Sequence, residues 1–295
     1  SYRVNDRMKK VALVTYSEHP ELTDDDAMLV APLARHNIES VAVPWDAEGV
    51  DWHGFDSIVV RSTWNYTYKF EEFTGWLTQM KQASLPLVNS YETMIWNANK
   101  RYLVELQEKG QPIIPSRVVE SGSQARLEEI MKEEGWNEVV FKPVISASAY
   151  HTHKSTLKDA AVNQAHFDEA LAHSAVLVQP FEEAICKEGE WSLIFFNHQF
   201  SHAVLKVPKS GDFRTQPHLG GKIQPIEAPA RLVQDAERLL SSLPEPVLYA
   251  RVDGVNKEGQ LVLMELELIE PALFMFADTK SPEKMADAIH EKILA

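Results

Sequence analysis

The first ninety residues alternate short apolar runs with stretches of helical spacing. Residues 11–15 form one apolar run. After a polar loop, Thr23 stands three residues before Asp26, a capping-box-like signal opening a helical pattern through Met28, Leu29, Leu33 and Ala34. Residues 40–43, 57–60 and 86–88 read as further strands, and Phe73, Trp76, Leu77 and Met80 recur at helical spacing within 70–81. This alternation predicts a parallel sheet covered by helices, a small Rossmann-like α/β unit.

Beyond it the pattern changes. A helix is expected over 92–109, ending at Gly110 with Pro112 just past it. A β-like segment at 116–119, a helix at 127–134 and strands at 139–141 and 177–179 follow, with Pro180 turning the chain out of the last. From Trp191 onward strands dominate, at 192–196, 201–207, 247–252 and 261–268, with helices at 231–240 and 282–293 to cover them. There is no internal repeat or low-complexity segment. The expected architecture is α/β in front and α+β behind.

Composition narrows the partners. With 43 acidic against 29 basic residues the formal charge is −14. An acidic surface argues against nucleic acid or an anionic membrane as partner, although a few lysines focused in a cleft can still hold a nucleotide. One cysteine, Cys186, leaves no intrachain disulfide or cysteine-cluster metal site. No apolar run reaches membrane-spanning length and the polar start lacks a signal-peptide core, so a cytoplasmic enzyme is expected. Met8 opens Met-Lys-Lys-Val, and residues 1–7 are expected to be an expression remnant.

Several segments carry candidate chemistry. Lys142 ends an apolar strand just before Ile-Ser-Ala-Ser-Ala, where loop amides can approach phosphate oxygens. Taken alone it is a solvated strand-end lysine, and Lys100 a surface lysine; with Gln179 the set becomes more specific. Lys206, the run Gly211 to Gln216 containing Arg214, and the pair Gly220-Gly221 could form a loop over a polyphosphate, or an ordinary solvent hairpin. Arg251 and Asp253 share one strand face, and so do Glu265 and Glu267. Three carboxylates on adjacent strands repel unless a cation joins them, and oxygen-only ligands point to magnesium. The competing reading is a half-exposed antiparallel ladder. It accounts less well for Arg251 and Asp253 inside an apolar strand.

The order Lys100, Lys142, Gln179, Gly189-Glu190, Lys206, Arg214, Gly220-Gly221, Arg251-Val252-Asp253, Glu265-Leu266-Glu267 resembles the ATP-grasp superfamily in its glutathione-synthetase-like branch. The runs 61–66 (Arg-Ser-Thr-Trp-Asn-Tyr) and 200–206, and the closing Glu-Leu-Glu-Leu-Ile-Glu-Pro, are similar to D-cycloserine synthetase-type ligases within it. The resemblance implies a Rossmann-like pre-ATP-grasp domain over 1–90, a lid region over 91–178 and a metal-binding catalytic domain over 179–295. It implies Lys100 and Lys142 on the α- and β-phosphates of ATP. Gln179 and the backbone near Phe181 and Glu182 would lie on the adenine, with Glu190 or Glu183 on the ribose. Lys206 and Arg214 would meet the γ-phosphate and an acyl phosphate. Asp253, Glu265 and Glu267 would hold two magnesium ions, or manganese, and Arg251 would stabilise an oxyanion. Two departures stand out: Glu267 where many members carry asparagine, and a glycine-poor loop at 146–149.

The reaction expected is formation of an acyl phosphate on a small amino-acid-like substrate, followed by amine attack. Ring closure of a single substrate and a silent ATP-binding module are the alternatives. A homodimer is expected from the family's habit. Arg61, Ser62 and Thr63 follow a strand end where α/β sheets present ligand loops, so they are substrate candidates with Trp64 and Tyr66, which could equally be packing. His202 is read as a core or cleft residue, His151 and His153 as polar lid residues, and Cys186 as a small buried side chain.

Overall fold

A computed structural model of the chain describes residues 7–146, 151–216 and 219–295. The start of the expected expression remnant, 1–6, and positions 147–149 of the glycine-poor loop lie outside the described residues.

Four parallel strands, β1 (Lys9–Thr15), β2 (Ile38–Pro44), β3 (Ser57–Val60) and β4 (Leu87–Val88), form the front sheet in the order β2-β1-β3-β4. Successive side chains of a strand face opposite ways, so each face feeds its own core. Ala12, Val14, Ile58 and Val60 pack on Phe73, Trp76 and Leu77 of α3 (Phe70–Gln82). Val11, Leu13 and Val59 meet Leu33 of α2 (Val30–Arg35) and Met285 and Ile289 of α10 (Ser281–Leu294). That second cluster also takes in Ile194 and Phe196. The last helix therefore covers the front sheet as well as the later strands.

The helix expected from Thr23 forms in two pieces, α1 (Asp24–Ala27) and α2. Thr23 Oγ1 accepts the Asp26 amide at 3.1 Å, as the capping signal predicts. Pro32 has no N–H and its ring would clash one turn back, so the chain restarts with Pro32 in the first turn of α2.

The second sheet is antiparallel, β5 (Arg117–Val119), β8 (Val176–Pro180), β6 (Glu138–Pro143) and β7 (His153–Thr156) in that order across it. Val139 and Phe141 pack under α6 (Leu127–Glu134) and α7 (Ala160–His173), leaving Val140, Lys142 and Gln179 on the opposite face. The third sheet runs β11 (Lys222–Ile226), β10 (Gln199–Val207), β9 (Glu190–Phe196), β12 (Tyr249–Lys257), β13 (Gln260–Glu267). Leu193, Leu205 and Val252 pack on Leu232, Ala236 and Leu240 of α9 (Ala230–Ser241). Its other face carries Glu190, Ser192, Lys206, Arg251 and Asp253. Among the described residues no helix is long and apolar enough to cross a membrane.

The single helix expected over 92–109 is interrupted. It forms α4 (Tyr91–Ala98) and α5 (Tyr102–Glu108), with Asn99 extended between them. The Lys100 amide donates to Val144 O at 2.8 Å and Asn99 Oδ1 takes the Arg101 amide at 2.9 Å, bonds a continuous helix would not make. The break turns Lys100 inward.

β13 is an edge strand whose outer polar groups are met by side chains. The Tyr102 hydroxyl accepts the Leu266 amide at 2.8 Å. Asn97 donates to Leu266 O at 2.7 Å and accepts the Leu268 amide at 2.9 Å. This satisfies an edge that would otherwise invite pairing and holds the strand bearing Glu265 and Glu267. Asn97→Ala would leave two buried backbone groups without partners. It should lower unfolding free energy by about 2–3 kcal/mol, read from the urea midpoint.

Candidate active site

A cavity of about 530 Å3 lies between the second and third sheets. Lys100, Lys142, Lys206, Arg214 and Arg251 line it together with Glu182, Glu190, Asp253, Glu265, Glu267 and Glu270. Five cations against six acids is close to balance, although the chain as a whole carries −14. The volume falls in the range of small-ligand sites.

Strand register builds the acidic floor. Arg251 pairs with Glu267 and Asp253 with Glu265 across β12 and β13, with a register shift immediately after Asp253. Asp253, Glu265 and Glu267 each bring an oxygen within 4.8 Å of the others. Among the described residues they are the group of this kind able to hold a metal ion. An all-oxygen donor set fits a hard divalent cation such as magnesium.

Cations hold the acids together. Arg251 bridges Asp253 at 3.0 Å and Glu267 at 2.9 Å. Lys206 bridges Glu190 at 2.8 Å and Asp253 at 3.3 Å, while Lys100 pairs with Glu265 and Lys257 with Glu182. Ser192 Oγ donates to Asp253 at 2.5 Å. Burial works against the charged form of Asp253, but Arg251 and Lys206 outweigh it and hold that carboxyl low. Burial is likewise overcome at Glu265, by Lys100 and Lys142. At Glu267 burial prevails over Arg251 and pushes the carboxyl up to about 8. Burial lowers Lys142, which makes no ion pair or side-chain hydrogen bond among the described residues.

Opposite the acidic floor, Lys142, Val140 and Gln179 project from the second sheet. Gln179 Nε2 donates to Ser116 Oγ at 2.9 Å, which fixes the amide. Val140, Ile185 of α8 (Ala184–Lys187), Phe213, Ile223 and Met264 give this end an apolar lining. Phe181 and Glu182 are on the wall, but the Phe181 amide already donates to Glu138 O at 2.9 Å, so its carbonyl is the backbone group left to bond a ligand. Arg214 is held by Asp212 at 3.1 Å, a contact that pulls the Asp212 carboxyl down to about 2.

Residues 11–89 match the family model for the N-terminal domain of D-cycloserine synthetase DcsG. The cycloserine biosynthesis protein DcsG of Streptomyces lavendulae is 28% identical over 299 residues, covering 96% of this chain and 98% of that protein. The crystal structure of D-cycloserine synthetase superposes with a TM-score of 0.86 at 26% identity, over 96% of this chain and 99% of that one. D-alanine--D-alanine ligase from Bacillus anthracis, solved in complex with ATP, follows the same fold with a TM-score of 0.70 at 15% identity, over 97% of each chain. The chain has the fold of the ATP-grasp ligases.

Within this ATP-grasp frame several sequence expectations need correction. Arg61 is only 1% exposed and does not reach the cavity. Its guanidinium meets Asp26 at 3.0 Å and Pro271 O at 2.7 Å and lies over the Tyr249 ring. Ser62 and Thr63 are buried behind the wall, whereas Trp64 and Tyr66 are on it. His202 is the core version of its two readings, with Nε2 2.7 Å from Leu273 O, away from the cavity. Glu183 is off the wall, its exposed carboxylate 3.3 Å from Lys187. Gly220 and Gly221 do not line the cavity. A Cβ on Gly221 would sit 2.2 Å from Thr215 O, so this glycine lets the backbone close against the Arg214 segment. Cys186 is exposed, because Ile185 takes the inward face of α8.

Arg61 and His202 serve a different end. The carbonyls of residues 268–273 accept, in order, from Asn89, Tyr249, Trp64, Arg61, Arg251 and His202, at distances from 2.6 to 3.1 Å. Six side-chain donors thus hold an irregular segment carrying Glu270, a wall residue missed from sequence; the only hint was its place in the Glu-Leu-Glu-Leu-Ile-Glu-Pro run. Arg61→Ala leaves Asp26 buried without its partner and should cost about 3–5 kcal/mol of stability. A fall in melting temperature should appear with or without substrate, which a pure substrate contact would not produce.

Proposed function

We propose that the chain is an ATP- and magnesium-dependent ligase that activates a carboxyl-type group of a small amino-acid-like substrate as its acyl phosphate. An amine then attacks, and ADP and phosphate are released. The reading rests above all on one juxtaposition: Lys142, which forms no ion pair among the described residues, faces three carboxylates clustered within reach of one ion. An unpaired lysine in a cleft favours an anion, and the carboxylates favour a metal; a metal-bound nucleotide supplies both.

In this proposal Lys142 and Lys100 take the α- and β-phosphates, and the apolar end with Gln179 and Phe181 takes the base. Glu190 takes the ribose. Asp253, Glu265 and Glu267 are the residues that would hold magnesium, which when bound offsets their mutual repulsion and the phosphate charge. Lys206 and Arg214 orient the transferring phosphoryl group, so that the substrate oxygen forms its bond to phosphorus as the bond to ADP breaks. Arg251 donates to the oxyanion formed when the amine adds. We further propose domain divisions at 1–90, 91–178 and 179–295.

Similarity to DcsG over 96% of the chain favours a second reading, in which ATP drives ring closure of one substrate. ADP release with a single organic substrate, rather than two, would distinguish it. The direct test is ADP release with pooled amino acids and magnesium. Arg251→Ala should lose about a hundredfold or more in turnover. Lys142→Met should weaken ATP binding about tenfold to a hundredfold, measured by titration calorimetry. ATP binding without turnover in any pool would make the chain a nucleotide-binding module instead.

A further inference from the structure

Every acid on the cavity wall except one has a cation within ion-pair distance. The exception, among the described residues, is Glu270, which forms no ion pair with a lysine or arginine and shares the cavity wall with Tyr66 and Trp64. Burial pushes this carboxyl up to about 7, with Arg251 the strongest of the charges drawing it down. The Trp64 indole donates to the Glu270 backbone at 3.1 Å, and Trp64 remains 45% exposed beside it. The pinned carbonyls on either side leave the backbone no freedom to carry this carboxylate out to water.

A half-buried carboxylate without a counter-ion, flanked by two aromatic rings, is a receptor for an organic cation. Tyrosine and tryptophan beside such a carboxylate can add cation–π attraction to an organic cation, and a charged hydrogen bond is the strong kind. We propose that Glu270, with Tyr66 and Trp64, forms the subsite for the ammonium group of the substrate. The substrate would then be a primary amine that carries its ammonium on the Arg251 side of the cavity, while the phosphates lie toward Lys142. This deepens the ligase reading and rests on it for the placement of the second reactant. Glu270 acts here by binding and takes no part in phosphoryl transfer.

The test uses the full chain with magnesium and ADP bound. Titration calorimetry compares the common amino acids in both enantiomers with the same compounds N-acetylated. At least one free amine should bind and its acetylated form should not. Glu270→Gln should weaken that amine at least tenfold while magnesium-ATP affinity stays within twofold. Tyr66→Phe should weaken it by a smaller factor, and it decides the matter if Glu270→Gln does not fold. The proposal is overturned if no free amine binds, if acetylated probes bind equally, or if Glu270→Gln leaves amine affinity unchanged. It is also overturned if the loss falls on metal or nucleotide affinity, which would make Glu270 a metal ligand. Failure of ATP to bind at all would remove the ligase reading while the amine titrations still judge Glu270.

Discussion

Mutual repulsion among Asp253, Glu265 and Glu267 is the constraint around which the rest is arranged. When ionised, carboxylate oxygens within 4.8 Å of one another repel by roughly 3 kcal/mol per pair at the effective dielectric of a protein site, a repulsion that adds to burial in raising the Glu267 carboxyl. The fold meets this with an arginine across the strand pair and a lysine two strands away, Arg251 and Lys206, and with Lys100 from a broken helix. Each of these cations is brought by a different element, so the acid cluster is stable only once the third sheet and the α4–α5 junction have come together. That leaves Lys142 and Glu270 as the wall charges not consumed internally, one of each sign.

The cavity is also a meeting place of separate cores. α9 packs one face of the third sheet, freeing the other to be polar. α10 covers the front sheet and Ile194 and Phe196 in a single cluster. Through this shared core the front sheet is tied to the strands that carry Arg251 and Asp253, and Trp64 and Tyr66 reach the wall from it.

Much of this was legible in the sequence, because period-two alternation places Arg251 with Asp253 and Glu265 with Glu267 whatever the tertiary fold. Strand pairing then adds the register that alternation cannot supply. Three kinds of feature were not legible. The helix α7 buries little beyond Ala160, Phe167 and Leu171, while Val162 is exposed, so its apolar spacing makes no continuous stripe. The interruption at Asn99 depends on Val144, distant in the chain. Arg61 looked like a ligand residue because it follows a strand end, but a buried carboxylate at Asp26 and a carbonyl at Pro271 claim it first. Residue type and strand position reveal that a group is reactive; they do not reveal whether the protein has already satisfied it.

The segment 268–273 illustrates what such satisfaction does to the history of a site. Each carbonyl is matched to one donor of fixed length, drawn from the segments that follow β3 and β4, from β10 or from β12. Adding or deleting one residue would put every later carbonyl out of step with its donor. Lineages that share this segment can therefore change what they accept by exchanging side chains at Glu270 or on the facing rings, but hardly by altering loop length. Divergence at this wall is confined to substitution, and its alignment should remain free of gaps.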